Sequence, residues 1–466
     1  MPDEILRTFL EYTIHDDETV SKESFSGLKA SAEYNLDIFY GDEKSWGGLG
    51  PQPQQKVMAL LESLTPEERK NYFNGIVVLC SCLLEPSITG MTSTYAKMTF
   101  RTGAVPALPE IREIRERSIT YLDNLYAVTE TIERKRTIIS TLKSATQPSH
   151  SGGYGDDVKQ MLFDNTVTVL RFYQRIVATE DNMEIIQHIE HLTYWLHHNR
   201  DDADISTKAL AVKELIDKKP EYQIFKVLIG FEGIFKPWRT RSQDAAEEDK
   251  KWENEYRQIE ETRNSKVEEF SAAVSVDNFE EWADRILTYA KIESKDMATF
   301  PFFARFLEKL SRKSPDLAIL LLEEHSSELE RFLPYFFFGL LDTSAAVTLR
   351  GMMLKWIDAG QHLASIARVF EFRKDLDIEL LQLILHKVQL ENLNKEVAIP
   401  DLRQIIAAIA ANYEESRKKL TNTVFLDAVR TLTELNDAGG AFKYMVSQRG
   451  GKNCYRYGCA CFGSRS

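Results

Sequence analysis

Residues 301–341 read PFFARFLEKLSRKSPDLAILLLEEHSSELERFLPYFFFGLL. Three helix-length apolar segments, Pro301–Leu310, Pro315–Glu324 and Leu329–Leu341, are separated by short polar breaks. Ser314-Pro315-Asp316 marks one start: serine can cap a helix, and proline suits the first turn, where its missing N–H costs nothing. The pattern continues through Ala345–Ile357, His362–Phe372, Leu376–Val388, Leu402–Tyr413 and Val424–Leu435. Leu402, Ile405, Ile406 and Ile409 fall at i, i+3, i+4 and i+7, a single stripe to bury. Starts near Pro315, Ser344 and Lys374 recur at roughly 30 residues, a spacing found in helical solenoids. Alternating β-branched runs are nearly absent, so strand content should be minor. The expected fold is all-α: an N-terminal helical subdomain joined to an α-solenoid of stacked antiparallel helix pairs, of HEAT- or tetratricopeptide-like geometry. The aromatic run Phe332–Phe338 reads as solenoid core, with an apolar partner groove as the alternative.

Upstream, Thr65-Pro66-Glu67-Glu68 is a helix start with the makings of a capping box. The helix it opens should run into Ile76–Leu84, apolar nearly all round and therefore buried. Pro86 to Pro109, rich in Thr, Ser and Gly, reads as an irregular connection. A long helix follows from Glu110 to about Val128. Ser144–Asp157 reads as a linker. The expected divisions are an N-terminal helical subdomain over 1–145, a middle helical bundle over 155–240, a charged bridging helix over 241–266, the solenoid over 267–437 and a disordered basic tail over 438–466. That tail has five bases, no acid, and Cys454, Cys459 and Cys461.

The chain has 466 residues, 43% hydrophobic and 28% charged, with a formal net charge of −13. It can bury a sizeable core, and it lacks the chain-wide positive field that generic nucleic-acid binding uses. Five cysteines in this length make no disulfide framework, which points to a reducing, cytoplasmic setting. The first residues carry acids where a secretion signal needs bases. The longest apolar stretch falls far short of the ~20 residues that span a bilayer.

No P-loop, nucleophile-elbow or HExxH pattern is present, and no cofactor is implied. Glu184, His188 and His191 lie at i, i+4 and i+7 of one helix. Two imidazoles and a carboxylate could hold a divalent metal, with the wet flank of an ordinary buried stripe as the plainer reading. Such a metal would supply a hydrolase reading. Arg112, Arg115, Arg134, Lys135 and Arg136, with Tyr121 and Tyr126 interleaved, could form a face for a partner, a phosphate or a nucleic acid. Acids at i+3 and i+4 from these bases favour a neutralised helix surface instead. Serial amphipathic helices without catalytic patterns make binding of a protein partner the leading expectation.

The stretch Arg101-Thr102-Gly103-Ala104-Val105-Pro106, followed by Ile111-Arg112, Ile119, Leu122 and Leu125-Tyr126, resembles helical regions that accompany large bacterial signal-transducing NTPases of the STAND type. The resemblance covers residues 70–240. It implies a helical sensor region that binds a protein, in a bacterial signalling or defence setting. The chain has no P-loop, so no nucleotide-binding residue carries over.

Overall fold

The computed structural model describes residues 3–41, 47–95, 97–146, 155–198, 202–238, 245–294, 299–373, 376–390, 395–411, 422–437 and 439. The Cys454, Cys459 and Cys461 tail and most of the expected 144–157 linker lie outside them. The chain divides into two compact units: Met1–Gln223 with Lys236–Gln243, and Ile224–Phe235 with Asp244–Ser466.

The first unit contains α1 (Asp3–Tyr12), α2 (Glu18–Ala32), α3 (Leu36–Tyr40), α4 (Gln52–Ser63), α5 (Pro66–Asn71) and α6 (Phe73–Leu84). A β-hairpin follows, β1 (Ser87–Thr94) and β2 (Lys97–Ala104). Then come α7 (Pro109–Ala127), α8 (Ile132–Thr146), α9 (Asp156–Thr179), α10 (Met183–His198) and α11 (Ala203–Asp217). The hairpin corrects the reading of Pro86–Pro109 as irregular. The capping box at Thr65 forms, its side chain accepting the Glu68 N–H while the Glu68 carboxylate accepts the Thr65 N–H. That helix ends at Asn71 and α6 restarts at Phe73, so the expected continuous helix is two. From α6 onward each helix packs against the next and the next but one: α6 on α7 and α8, α7 on α8 and α9, α8 on α9 and α10, α9 on α10 and α11. Two rows of stacked helices result.

The division between the units falls within α12 (Pro220–Ile229). The second unit continues with α13 (Ala245–Ala273), α14 (Phe279–Ala290), α15 (Pro301–Lys313), α16 (Pro315–His325), α17 (Leu333–Leu340) and α18 (Ala346–Asp358). It ends with α19 (Leu363–Phe372), α20 (Ile378–Leu390), α21 (Lys395–Ala411) and α22 (Asn422–Glu434). Helices α13, α15, α17, α19 and α21 stack in one row, and α18, α20 and α22 in the other. This is an α-solenoid, in which each repeat buries its apolar stripe only against its neighbours. The all-α solenoid expected from the sequence is present. Phe332, Leu333, Phe336 and Phe337 are fully buried, and the Phe332 ring meets Phe303 edge-on at 4.9 Å, so the aromatic run is core. Gly339 lets α17 approach α15 closely: a Cβ there would sit 2.4 Å from the Glu308 carbonyl oxygen. α21 starts seven residues before the expected Leu402 and carries Pro400 inside it.

A helix leaves its last carbonyls without intrahelical partners and its C-terminus partly negative. Here arginines fill that need, two of them buried and the third half-buried. Arg115 is fully buried on α7 and donates to Glu85 O at the end of α6 (3.0 Å) and to Ala145 O at the end of α8 (3.3 Å). Arg263 of α13, also buried, donates to Val227 O (2.7 Å) and Gly230 O (2.9 Å) at the end of α12. Its guanidinium lies 3.7 Å from the Phe302 ring centroid and 4.3 Å from that of Phe235. Arg331 does the same for the end of α14, donating to Ala290 O (3.3 Å) and Ile292 O (3.0 Å) between the rings of Phe300 and Phe332. A buried cation without such acceptors would cost several kcal/mol.

Arg263→Ala should therefore leave carbonyls of α12 without a donor and destabilise the second unit by about 2–4 kcal/mol. Hydrogen-exchange mass spectrometry should show faster exchange across 224–235 and 299–306. Unchanged protection there would remove the arginine from this role.

Candidate functional site

Among the described residues the hairpin is the first unit's sheet, and one of its faces is exposed. In its antiparallel register Ser87 faces Ala104, Thr89 faces Thr102, Met91 faces Phe100 and Ser93 faces Met98. Successive residues of a strand point to opposite faces. Ile88, Gly90 and Arg101 therefore share the inner face, and Thr89, Met91, Met98, Phe100 and Thr102 the outer one.

The inner face is anchored. Ile88 and, just beyond β2, Val105 join a buried cluster with Tyr34, Phe39, Ile111, Val158, Met161 and Leu162. Gly90 permits close approach to α3, since a Cβ there would lie 2.9 Å from Leu36 Cβ. Arg101 Nη2 pairs with Asp37 Oδ1 at 2.6 Å. The outer face is apolar and uncovered: Met91 is 51% exposed, Met98 55% and Phe100 72%. Tyr95, at the tip, is fully exposed. Single exposed apolar residues are ordinary; four large ones gathered on one small element are less so.

The residues singled out from the sequence fall elsewhere in this unit. Glu184, His188 and His191 are on α10 as expected, but each has a different partner. Glu184 pairs with Arg136 at 3.4 Å, His188 Nε2 lies 2.9 Å from Ser140 Oγ, and His191 Nε2 accepts the Trp195 indole N–H at 3.2 Å. Burial, then Arg136, His191 and Lys143 nearby, hold His188 down at about 4; burial, Lys143 and Lys236 lower His191. Neutral imidazoles suit a metal, yet among the described residues no three His, Cys, Asp or Glu side chains are placed to hold one. Regrouping them would break the Arg136 and Ser140 contacts.

The basic face is also dispersed. Arg115 is core, which corrects its assignment to a surface. The interleaved Tyr121 and Tyr126 are buried, so neither ring is offered to a base. Arg112 donates to Ala107 O and Asp157 O, and Arg134 to Lys70 O. Lys135 pairs with Glu180 at 3.0 Å, and Arg136 with Glu184.

The second unit holds a buried carboxyl that sequence reading missed. Asp401 of α21 accepts the Ala364 N–H in the first turn of α19. It supplies a cap that His362, at the N-cap position with φ 57°, does not make with its side chain. The Glu330 carboxylate lies 3.5 Å from the buried His362 ring, and His362 holds Glu330 below the usual range. Burial, with Glu330 nearby, pushes Asp401 up to about 7. Sequence offers no signal for this, because Asp401 reads as an ordinary acid in the first turn of a helix.

No family model matches the chain, and no curated protein matches it. Among solved structures, a circular tandem repeat protein with novel repeat topology is 12% identical over 96% of this chain and 100% of its own, at a TM-score of 0.33. Two crystal structures of importin beta are 9% and 10% identical, at TM-scores of 0.21 and 0.24. Each covers 96% of this chain, which spans 53% and 55% of theirs. Likenesses this distant carry no functional argument. The solenoid assignment rests on the helix stacking itself.

A carboxyl whose folded value is raised disfavours the fold once the unfolded chain ionises. Asp401 should thus cost stability progressively from about pH 4 to about pH 7, with no further loss above. Asp401→Asn keeps an acceptor for Ala364 and removes the ionisation. It should raise stability at pH 8 by on the order of 2–4 kcal/mol and flatten the dependence between pH 4 and 7. Thermal unfolding followed across that range checks this; parallel curves for the two proteins would refute it.

Proposed function

We propose that this chain is a non-catalytic helical-repeat scaffold or sensor that binds a protein partner through the hairpin. The supporting observation is the uncovered outer face of Met91, Met98 and Phe100, with Tyr95 at the tip, held on a buried base. Stacked helices give such an element a stiff mount, so little order has to be created on binding. Aromatic and methionine side chains are the types enriched where partners dock. The described helices include none long and apolar enough to cross a membrane.

A finer setting follows from the resemblance to the helical regions of STAND-type NTPases. In that reading the chain is the sensor part of a bacterial, cytoplasmic signalling or defence system, acting without a nucleotide site of its own. Residues 101–106, which open the resemblance, form the end of β2 and its exit, so the hairpin would belong to the sensing region.

Recovery from a bacterial lysate by the full chain tests the reading. The wild-type protein should retain one partner at stoichiometric level, and Met98→Ser/Phe100→Ser should lose at least tenfold of it with unchanged far-ultraviolet circular dichroism. Equal recovery by the two would move the binding surface away from the hairpin. Recovery of nothing by either would count against a constitutive partner.

A further inference from the structure

A peroxide reaches a thioether sulfur only where solvent does, and the sulfur needs no deprotonation to react. Exposure therefore decides which methionine is modified. Met58 and Met353 are fully buried, Met161 and Met352 nearly so, and Met183 is half-buried at the start of α10. Met91 and Met98 are each more than half exposed. Met1, Met297 and Met445 lie outside the described residues. The described thiols are poor competitors. Cys80 and Cys82 are buried on α6, and burial pushes both thiols up, Cys82 to about 12, so neither supplies the thiolate that attacks a peroxide.

The two exposed thioethers share the hairpin's outer face, one on each strand. Met91 lies directly across from Phe100, and Met98 from Ser93. Neither belongs to the buried cluster that holds the base of the hairpin, which takes Ile88 from β1 and Val105 from just beyond β2.

We infer that Met91 and Met98 form a peroxide-responsive modification site, at which conversion to the sulfoxides turns off the apolar face and leaves the fold intact. The loss of binding rests on the proposed function; the selectivity of the reaction does not. In the reaction a sulfur lone pair attacks one peroxide oxygen. An S–O bond forms, the O–O bond breaks, and the second oxygen leaves as water with both protons. The sulfur loses two electrons and the peroxide gains them. The product carries a strong hydrogen-bond acceptor where the surface had been apolar. On an exposed strand face water solvates that acceptor. Against an apolar partner it would be stripped of water with no donor to replace it, which disfavours the complex. At Met58 or Met353 the same oxygen would enter the core and unfold it. The placement on the outer face makes oxidation act on recognition and spare stability.

The test treats the full chain with hydrogen peroxide at neutral pH and follows each methionine by peptide mass mapping. Met91 and Met98 should be oxidised at least tenfold faster than Met58, Met161, Met352 and Met353, with unchanged far-ultraviolet circular dichroism. Partner recovery from a lysate by the oxidised protein should fall at least tenfold. Met91→Leu/Met98→Leu keeps the apolar surface without its sulfurs, and should recover the partner equally before and after peroxide. That variant also controls for oxidation at every other position. Equal rates for exposed and buried methionines, unfolding on oxidation of these two, recovery that survives both sulfoxides, or equal loss in the leucine variant would each overturn the inference. If recovery depends on the hairpin but is indifferent to peroxide, the modification inference falls alone and the scaffold reading stands. If the untreated protein recovers nothing, the scaffold reading falls and the switch falls with it.

Discussion

The helices α6, α8, α12 and α14 end in carbonyls that an arginine from a neighbouring segment satisfies, and their stacking depends on that constraint. Water cannot reach a helix end buried between two others. A long cation can, because its stem packs against apolar rings while its guanidinium reaches the carbonyls and the negative end of the helix dipole. Arg115 joins the ends of α6 and α8 in the first unit. Arg263 and Arg331 close the ends of α12 and α14 in the second, each between two phenylalanines. The apolar stripes drive the helices together without direction. These bonds have direction, and they tie four helix ends to their neighbours.

Such a scaffold has consequences for function. Its helices use their apolar faces on one another, and several of its surface cations are tied to carboxylates or carbonyls. One small element departs from the helical rule. The hairpin keeps its base in the core through Ile88 and its outer face in solvent through Met91, Met98 and Phe100. A two-stranded sheet is marginal by itself. This one is held by α3, by the Tyr34–Asn35 bridge and by the Arg101–Asp37 pair. Stability comes from one face and leaves the other in solvent.

The helices were legible in the sequence because their signals are local. The Thr65–Glu68 box and the Leu402–Ile409 stripe each lie within about two turns and form, and a helix does start at Pro315, although the Ser314 side chain makes no cap. The hairpin was not read, although KMTFRT alternates polar and apolar residues as a half-exposed strand should. Its link Tyr95-Ala96 lacks the Asn, Asp or Gly that announces a tight turn, and threonine and serine mimic a loop. Arg115 was misread for a different reason. Acids one helical turn away make it look solvated, while its true acceptors, Glu85 O and Ala145 O, lie 30 residues off in either direction. The candidate metal triad depends on neighbours in the same way: Glu184, His188 and His191 share a helix flank, but each meets a different partner on α8 or α10. Local spacing places residues on a face. Only the neighbouring helices decide what that face meets.

The most direct measurement of the central claim, that the hairpin is held by its inner face and open on its outer one, is solvent paramagnetic relaxation at side-chain methyl groups of the wild-type chain. The methyls of Met91 and Met98 should relax at least tenfold faster than those of Ile88 and Val105. Uniform slow relaxation would mean that something already covers the outer face, and uniform fast relaxation that the base is not buried; either would contradict the account.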